Sequence, residues 1–357
     1  MKKADIFLFL GKCLSLDENP GIAEQVRQEM TSLPLKELLE VAISHSLLPA
    51  LYAIFERHQV LPVLPEGITS LLKQAYAFNT EKNAGIMEQV KDLAQAFQMV
   101  AIPVVFLKGA GYLLQGLYKD SGERVMTDID VLVRGEDEER VQAVLLEMGY
   151  EAMAGAAEGD YGAHRHLPPF HHPAKEVPVE VHRSPLHGDF ASHLLPEEAF
   201  SRCMKAGDTV ASVLSLQHQQ LLHYFHEMHH TRGKLGTMGT LRGMYDFYLL
   251  SRKRRPLPED VSHAGSSRKY LRYARCTGKV ISASPLQKAA TASSDGRYLN
   301  RELFIMNHSW MSRFYFKLAY RPVYLAGLAL RSLFQPASRR LMVKKWNKLL
   351  SKRPLSG

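Results

Sequence analysis

The sequence is poor in the residues that staple or anchor a chain, with 3 cysteines and 2 tryptophans in 357 residues. Cys13, Cys203 and Cys276 are odd in number, scattered and without ligand spacing. That excludes a disulfide-stapled secreted scaffold and favours a reduced, cytoplasmic protein. No apolar run reaches the length a membrane span needs. The opening MKKADIFLFLGKC has an apolar run only from Ile6 to Leu10 before Gly11 and Lys12. It is too short for a signal-peptide core and lacks a small-residue cleavage site, so a soluble or membrane-peripheral protein is expected. Internal repeats and low-complexity segments are absent, which leaves no room for a solenoid. Acidic residues are in deficit: 45 Lys and Arg against 36 Asp and Glu give a net charge of +9 and a pI near 9.3. Such a balance points to a polyanionic partner, whether nucleotide, nucleic acid, polysaccharide phosphate or anionic lipid. What remains, 46% hydrophobic and 23% charged, is globular composition, enough for one extended domain or two or three packed units.

Helical spacing dominates both ends. Over residues 1–97 apolar positions such as Leu35, Leu38, Leu39, Val41 and Ala42, then Leu71, Leu72, Ala75 and Tyr76, recur at helical intervals, broken at 18–21 and 61–67. This reads as a packing scaffold. Residues 84–99 form a helix leading to a strand at 104–107, a helix at 109–117 and a strand at 125–133. A further helix, with acids in its first turn, runs from 135 to Met148 and stops at Gly149. A short strand at 150–153, a flexible loop at 154–162, and a hairpin made from 164–172 and 177–183 complete the core. Residues 195–350 are expected to return to helix, best patterned at 214–230 and 241–250 and separated by a basic, glycine-rich loop at 232–239. Residues 252–269 read as a linker. The expected division is a helical segment at 1–97, an α/β core at 98–200, and a helical segment with a basic tail at 201–357.

The chemistry concentrates in residues 107–133, LKGAGYLLQGLYKDSGERVMTDIDVLV. An apolar strand stops at Lys108-Gly109, and the next strand carries Asp128 and Asp130. Positions i and i+2 of a strand share a face, so the two carboxylates lie side by side. Paired carboxylates at a buried strand end repel and are costly to desolvate unless a divalent cation or a hydrogen-bond network compensates. Mg²⁺ prefers one or two carboxylates plus phosphate oxygens. A glycine turn that opens a helix offers free N–H groups and a favourable dipole to a phosphate.

This stretch resembles the DNA polymerase β-like nucleotidyltransferase superfamily, and within it the bacterial subgroup called the uncharacterised nucleotidyltransferase family. The subgroup's ordered pattern, LKG…Y…R…DIDLLV…GY…HHLPP…VELH, is matched by Leu107-Lys108-Gly109, Tyr118, Arg124, Asp128-Ile129-Asp130, Gly149-Tyr150, His164-Arg165-His166-Leu167-Pro168-Pro169 and Val179-Glu180-Val181-His182. The resemblance implies an α/β fold, of α+β type, with a small mixed sheet between N- and C-terminal helical segments. It also implies a Mg²⁺-dependent enzyme, with Mn²⁺ as the alternative, that moves a nucleotidyl group from an NTP donor. Asp128 and Asp130 would hold the metal, with Glu180 as third ligand or the group that orients the nucleophile. Lys108 and the Gly109 turn would meet the phosphates. Ala110 stands where many superfamily members have a serine, and Lys108 would replace that contact with charge. The acceptor would be a hydroxyl or phosphate on a small molecule, peptide or glycan, in polysaccharide or peptide tailoring. RNA is the alternative acceptor, and a non-catalytic scaffold with the same fold is the remaining one.

Arg124 has two readings, a bidentate phosphate contact or an ion pair with the acids. His166 and His182 are candidates for the substrate pocket. The helical run His223, His226, His229, His230 contains an i,i+4 pair but no His-Glu-x-x-His pattern, and no cysteine lies nearby, so a zinc site is disfavoured. Asp246 is expected to pair with Arg242 one helical turn away, as a structural contact. Residues 321–354 mix Arg339, Arg340, Lys344, Lys345 and Lys348 with apolar residues and Trp346. They suggest a basic amphipathic helix packed by one face, with anionic lipid at the inner membrane or nucleic acid as partners for the other.

Overall fold

The computed structural model describes residues 2–152, 167–230, 239–261, 264–281 and 293–308. The expected loop at 154–162, His164 and His166, the basic loop at 232–238 and the basic stretch at 321–354 lie outside them.

Four helices come first: α1 (Lys3–Leu14), α2 (Ala23–Met30), α3 (Leu35–Ser44) and α4 (Leu48–Arg57). Helix α5 (Glu66–Met99) follows as one continuous run of 34 residues. The strands are short: β1 (Val105–Phe106), β2 (Ile129–Leu132), β3 (Glu151–Ala152), β4 (Phe170–His171), β5 (Val179–His182), β6 (Met204–Lys205) and β7 (Ser212–Val213). Between them lie α6 (Lys108–Leu114), α7 (Glu138–Glu147) and α8 (Pro196–Ser201). The chain closes with α9 (Leu216–His230), α10 (Leu241–Lys253), α11 (Ala264–Val280) and α12 (Ser293–Asn307). Gly149, after α7, adopts φ +84°, the left-handed geometry expected of a glycine that stops a helix.

The strands form one mixed sheet in the order β3-β4-β5-β2-β1-β7-β6. Strand β2 runs antiparallel to β1 and parallel to β5, while β1 runs parallel to β7. This is the expected mixed α/β class. Strand period 2 then divides the side chains. Phe106, Ile129, Val131, Val179 and Val181 point to one face, where Ile86, Val90, Leu93 and Phe97 of α5 cover them. Val105, Leu107 and Leu132 point to the other, against Leu221, Leu222 and Phe225 of α9, Phe247 of α10 and Tyr270 of α11. Asp130, Glu180 and His182 alternate with the α5-facing valines, so the topology assigns them to the second face.

Two expectations are corrected. Residues 204–213, read as helical, form the hairpin β6–β7, which turns through Gly207 at φ +56° and adds β7 to β1. Two-residue strands are too short to leave a period-2 signature. Residues 252–269, read as a linker, hold the end of α10, a tight turn and the start of α11. Asp260 fixes the turn by accepting from both terminal nitrogens of the Arg254 guanidinium, at 2.8 and 2.6 Å, and from the Leu257 N–H at 2.8 Å.

The two helical ends share a core. Phe7, Leu10 and Leu14 of α1, with Leu51 and Phe55 of α4, pack with Leu241, Met244, Tyr245 and Tyr248 of α10 and Val280 of α11. Helix α1 crosses α11 so closely that a Cβ on Gly11 would stand 2.3 Å from the Val280 carbonyl oxygen. Tyr112 and Tyr118, from the segment between β1 and β2, belong to the same cluster. Among the described residues no single helix is long and apolar enough to cross a membrane.

Candidate functional site

Register builds the site. Asp130 stands directly opposite Glu180 on the parallel pair β2–β5, and His182 lies two residues further along β5 on the same face. His182 Nε2 donates to Asp130 Oδ1 at 2.6 Å and lies 3.5 Å from Glu180 Oε2. Lys108 Nζ reaches the same Asp130 Oδ1 at 2.5 Å. Asp130 is 2% exposed and His182 fully buried, while Glu180 is part-exposed. Burial opposes the charge on Asp130, but Lys108 and His182 outweigh it and hold the carboxyl well below the usual range. The His182 hydrogen bond lowers Glu180 despite partial burial.

Asp128 stands one residue before β2, half-buried. Burial and then the neighbouring Asp130 push its pKa up, with Glu180 adding to the repulsion and Lys108 opposing it. Three carboxylates thus converge on one ammonium. Among the described residues, Asp130, Glu180 and His182 form the group of potential metal ligands whose donor atoms all lie within 4.8 Å of one another. Asp128 borders that group, its carboxyl pushed up by burial where Asp130 is held down.

The turn from β1 into α6 delivers Lys108. The Leu107 N–H donates to the Asp130 carbonyl at 2.9 Å, which pins the strand end, and Lys108 then adopts φ +46°. A side chain in that region costs on the order of 1 kcal/mol or more and persists where its surroundings over-determine it. The ion pair with Asp130 is that surrounding contact. Gly109 follows for a steric reason: a Cβ there would lie 2.4 Å from Arg124 Nη1 and 2.8 Å from Met126 Sδ.

Arg124 is itself clamped. Its Nε and Nη2 donate to the two carboxylate oxygens of Asp246 on α10, both at 3.1 Å, and its guanidinium lies 5.2 Å from the centre of the Tyr112 ring. The Tyr118 hydroxyl donates to the same carboxylate. Of the two readings for Arg124 the structure shows an ion pair, with Asp246 rather than Asp128. The expected Arg242–Asp246 pair is replaced accordingly: Arg242 donates to the Val125 carbonyl at 3.2 Å. From α5, Asn79 and Asn83 donate to the carbonyls of Gly122 (2.7 Å), Ser121 (2.5 Å) and Arg124 (3.1 and 2.8 Å). Sequence reasoning missed both asparagines. Their one signal was polar side chains four apart on a helix face that is otherwise apolar.

The histidines divide. His223 is buried, its Nδ1 3.2 Å from the Tyr112 hydroxyl, and burial pushes it down to about 4. His172 stacks edge-on against Tyr150, and His171 is exposed. His182 alone of these joins the carboxylates.

With that geometry in place, the chain matches the family described as "Uncharacterised nucleotidyltransferase" over residues 32–266, more than half of its 357 residues. The protein belongs to that family. The matched span takes in Lys108, Asp128, Asp130, Glu180, His182 and Asp246. Among solved structures, the solution structure of the antibiotic-resistance factor ANT(2'')-Ia is similar, with 12% identity and a TM-score of 0.34 over 58% of this chain and 95% of that one. No curated protein matches the chain significantly. Family membership makes the chain a nucleotidyltransferase in the general sense, acting between an NTP donor and an acceptor. Its donor set, carboxylates with one imidazole and a surplus of negative charge, fits a divalent cation.

Proposed function

We propose that the protein is a Mg²⁺-dependent nucleotidyltransferase of the 2.7.7 type, with Mn²⁺ as the alternative ion. It would move a nucleotidyl group from an NTP to a hydroxyl or phosphate on a small molecule, peptide or glycan. The observation that carries this is the in-register pair Asp130–Glu180, with Lys108 Nζ drawn onto Asp130 from the turn that opens α6. Asp130 and Glu180 would hold the cation, with Asp128 at its border. When bound, the cation would offset triphosphate charge and stabilise the charge that develops during displacement.

The remaining work falls to the protein's own groups. A cation held by Asp130 would offset the carboxylate charge that now draws in Lys108, leaving that ammonium available to the donor phosphates. The N–H groups at the start of α6 stand at the Lys108–Gly109 turn, where an anion is favoured. Arg124, held by Asp246, supports that turn from beneath. Glu180, the more exposed of the paired acids, is suited to orient the nucleophile, and His166 would serve the substrate pocket. Little covalent chemistry is asked of these residues; positioning and charge supply the rate. We place the reaction in the cytoplasm, in polysaccharide or peptide tailoring, with the core at 98–200 flanked by helical segments. The net charge of +9 favours RNA as the second acceptor class, and the basic C-terminus as a contact for anionic membrane.

Calorimetric titration of each NTP with Mg²⁺ into wild type and into Asp128→Asn/Asp130→Asn tests the reading. One NTP should bind, metal-dependently, and at least about 100-fold more weakly to the variant, the usual scale for a lost charge-assisted phosphate or metal contact. Equal binding by both proteins, or none by the folded wild type, overturns it.

A further inference from the structure

His182 was expected in the substrate pocket, yet its side chain is fully buried between two carboxylates. We infer that His182 Nε2 is a direct ligand of the catalytic cation, alongside Asp130 and Glu180, and that the site therefore selects a first-row transition ion over Mg²⁺, with Mn²⁺ as its paramagnetic probe. This rests on the nucleotidyl-transfer reading, adds a ligand to it, and puts Mg²⁺ behind a transition ion among the cations that reading allows.

Three observations lead there. Strand register puts Asp130, Glu180 and His182 on one face, with His182 two residues from Glu180 and one strand from Asp130. The three donor atoms lie within 4.8 Å of one another, and the imidazole nitrogen sits 2.6 Å from Asp130 Oδ1 and 3.5 Å from Glu180 Oε2. Ligands about 2.1 Å from one ion and cis to each other stand roughly 3 Å apart, so these separations close around a cation with small side-chain movement. Both Lys108 and His182 also approach Oδ1 of Asp130, and no described residue bonds its Oδ2. For Nε2 to ligate, its proton passes to solvent and the ring binds as the neutral tautomer whose single proton, exchanged through solvent, sits on Nδ1. Carboxylate and water suit Mg²⁺, whereas an imidazole in the set moves preference toward ions later in the first transition row.

The competing arrangement keeps His182 one shell out, as a hydrogen-bond partner that orients Asp130. Affinity alone does not separate the two, because losing an outer partner also weakens metal binding about 10–100-fold. Direct coordination leaves a spectroscopic signature. The test is electron spin echo envelope modulation on the full chain loaded with Mn²⁺ alone, grown with natural or ¹⁵N-labelled histidine. The expected spectrum carries ¹⁴N modulation that changes with the label and disappears in His182→Asn, a variant that keeps a polar N–H donor at this position. Competition should show Mn²⁺ displacing Mg²⁺ at about one tenth of its concentration or less.

Mn²⁺ uptake with no nitrogen modulation overturns the assignment of His182 and leaves nucleotidyl transfer intact. So does modulation that survives in His182→Asn. The wild-type and isotope measurements need no variant, so a misfolded His182→Asn leaves the test standing. Mg²⁺ uptake without Mn²⁺ uptake overturns the ligand assignment alone, and uptake of neither ion, with or without a non-hydrolysable NTP analogue, overturns the metal-dependent reading as well.

Discussion

Asp130 serves two cationic or donor groups through one oxygen, and Lys108 holds a left-handed backbone to be one of them. Removing one partner of a buried pair leaves the other charge uncompensated, which costs more than the pair's net worth. Lys108→Met should therefore lower the free energy of unfolding by about 2–4 kcal/mol, read from urea titration. A millimolar divalent cation should recover part of that loss, because it binds the native acids and not the unfolded chain. A loss unaltered by metal would mean that Lys108 acts only as a structural counter-ion. At this scale the site was largely legible. Lys108, Asp128, Asp130, Glu180 and His182 fall in two contiguous stretches, and strand alternation alone fixes which of them share a face. The sequence did not reveal that Asp128 and Asp130 differ, because that depends on where β2 begins: Asp130 lies inside the strand and Asp128 just outside it.

Helix α5 makes its contribution through a polar stripe. Asn79 and Asn83 sit one turn apart and bind the backbone of residues 121–124, from which Arg124 reaches the Gly109 turn. An irregular segment packed this tightly has buried carbonyls that need donors, and the two amides supply them. Asn83→Ala leaves the Ser121 carbonyl without that donor and the Arg124 carbonyl with one fewer. It should cost about 1–3 kcal/mol in unfolding free energy. NTP affinity should fall with it, since the segment carrying Arg124 loosens. A variant that loses stability but binds NTP normally would separate α5 from the site. Helical periodicity reports where apolar residues recur, so it located α5 from its leucines and valines. It is silent about two asparagines whose purpose is a loop about 40 residues away in sequence. The strands β6 and β7 escaped for a related reason: each has two residues and takes its meaning from a distant partner.

Across the described residues, the N-terminal helices and α10–α11 are one body of packing rather than two appendages. Phe7, Leu10 and Leu14 of α1 lie in the same cluster as Tyr118 beside the site and Tyr245 of α10. The family match begins at residue 32, which invites the removal of everything before it. Deleting residues 2–31 should nonetheless yield an aggregating chain without a cooperative thermal transition. The α10 and α11 faces beneath α1 lose several fully buried apolar side chains, each worth about 1.5–3 kcal/mol. Solubility and circular dichroism melting check this; a soluble, cooperatively folding remnant would show that α1 is dispensable. Amphipathic stripes announced these helices, but not which stripe meets which. That pairing is decided by shape complementarity, such as the close crossing at Gly11.

The Arg124–Asp246 clamp has a consequence for the protein's manufacture. Its two halves are 122 residues apart in the chain. At ribosomal speeds of roughly 5–20 residues per second, about 6–25 s separate their synthesis. By the end of that interval the nascent chain carries its acids and its lysine, but the guanidinium under Gly109 still lacks the carboxylate that clamps it. Competence for donor binding should thus arrive late and all at once, after α10 emerges, so that a ribosome-stalled fragment is inert rather than partly active.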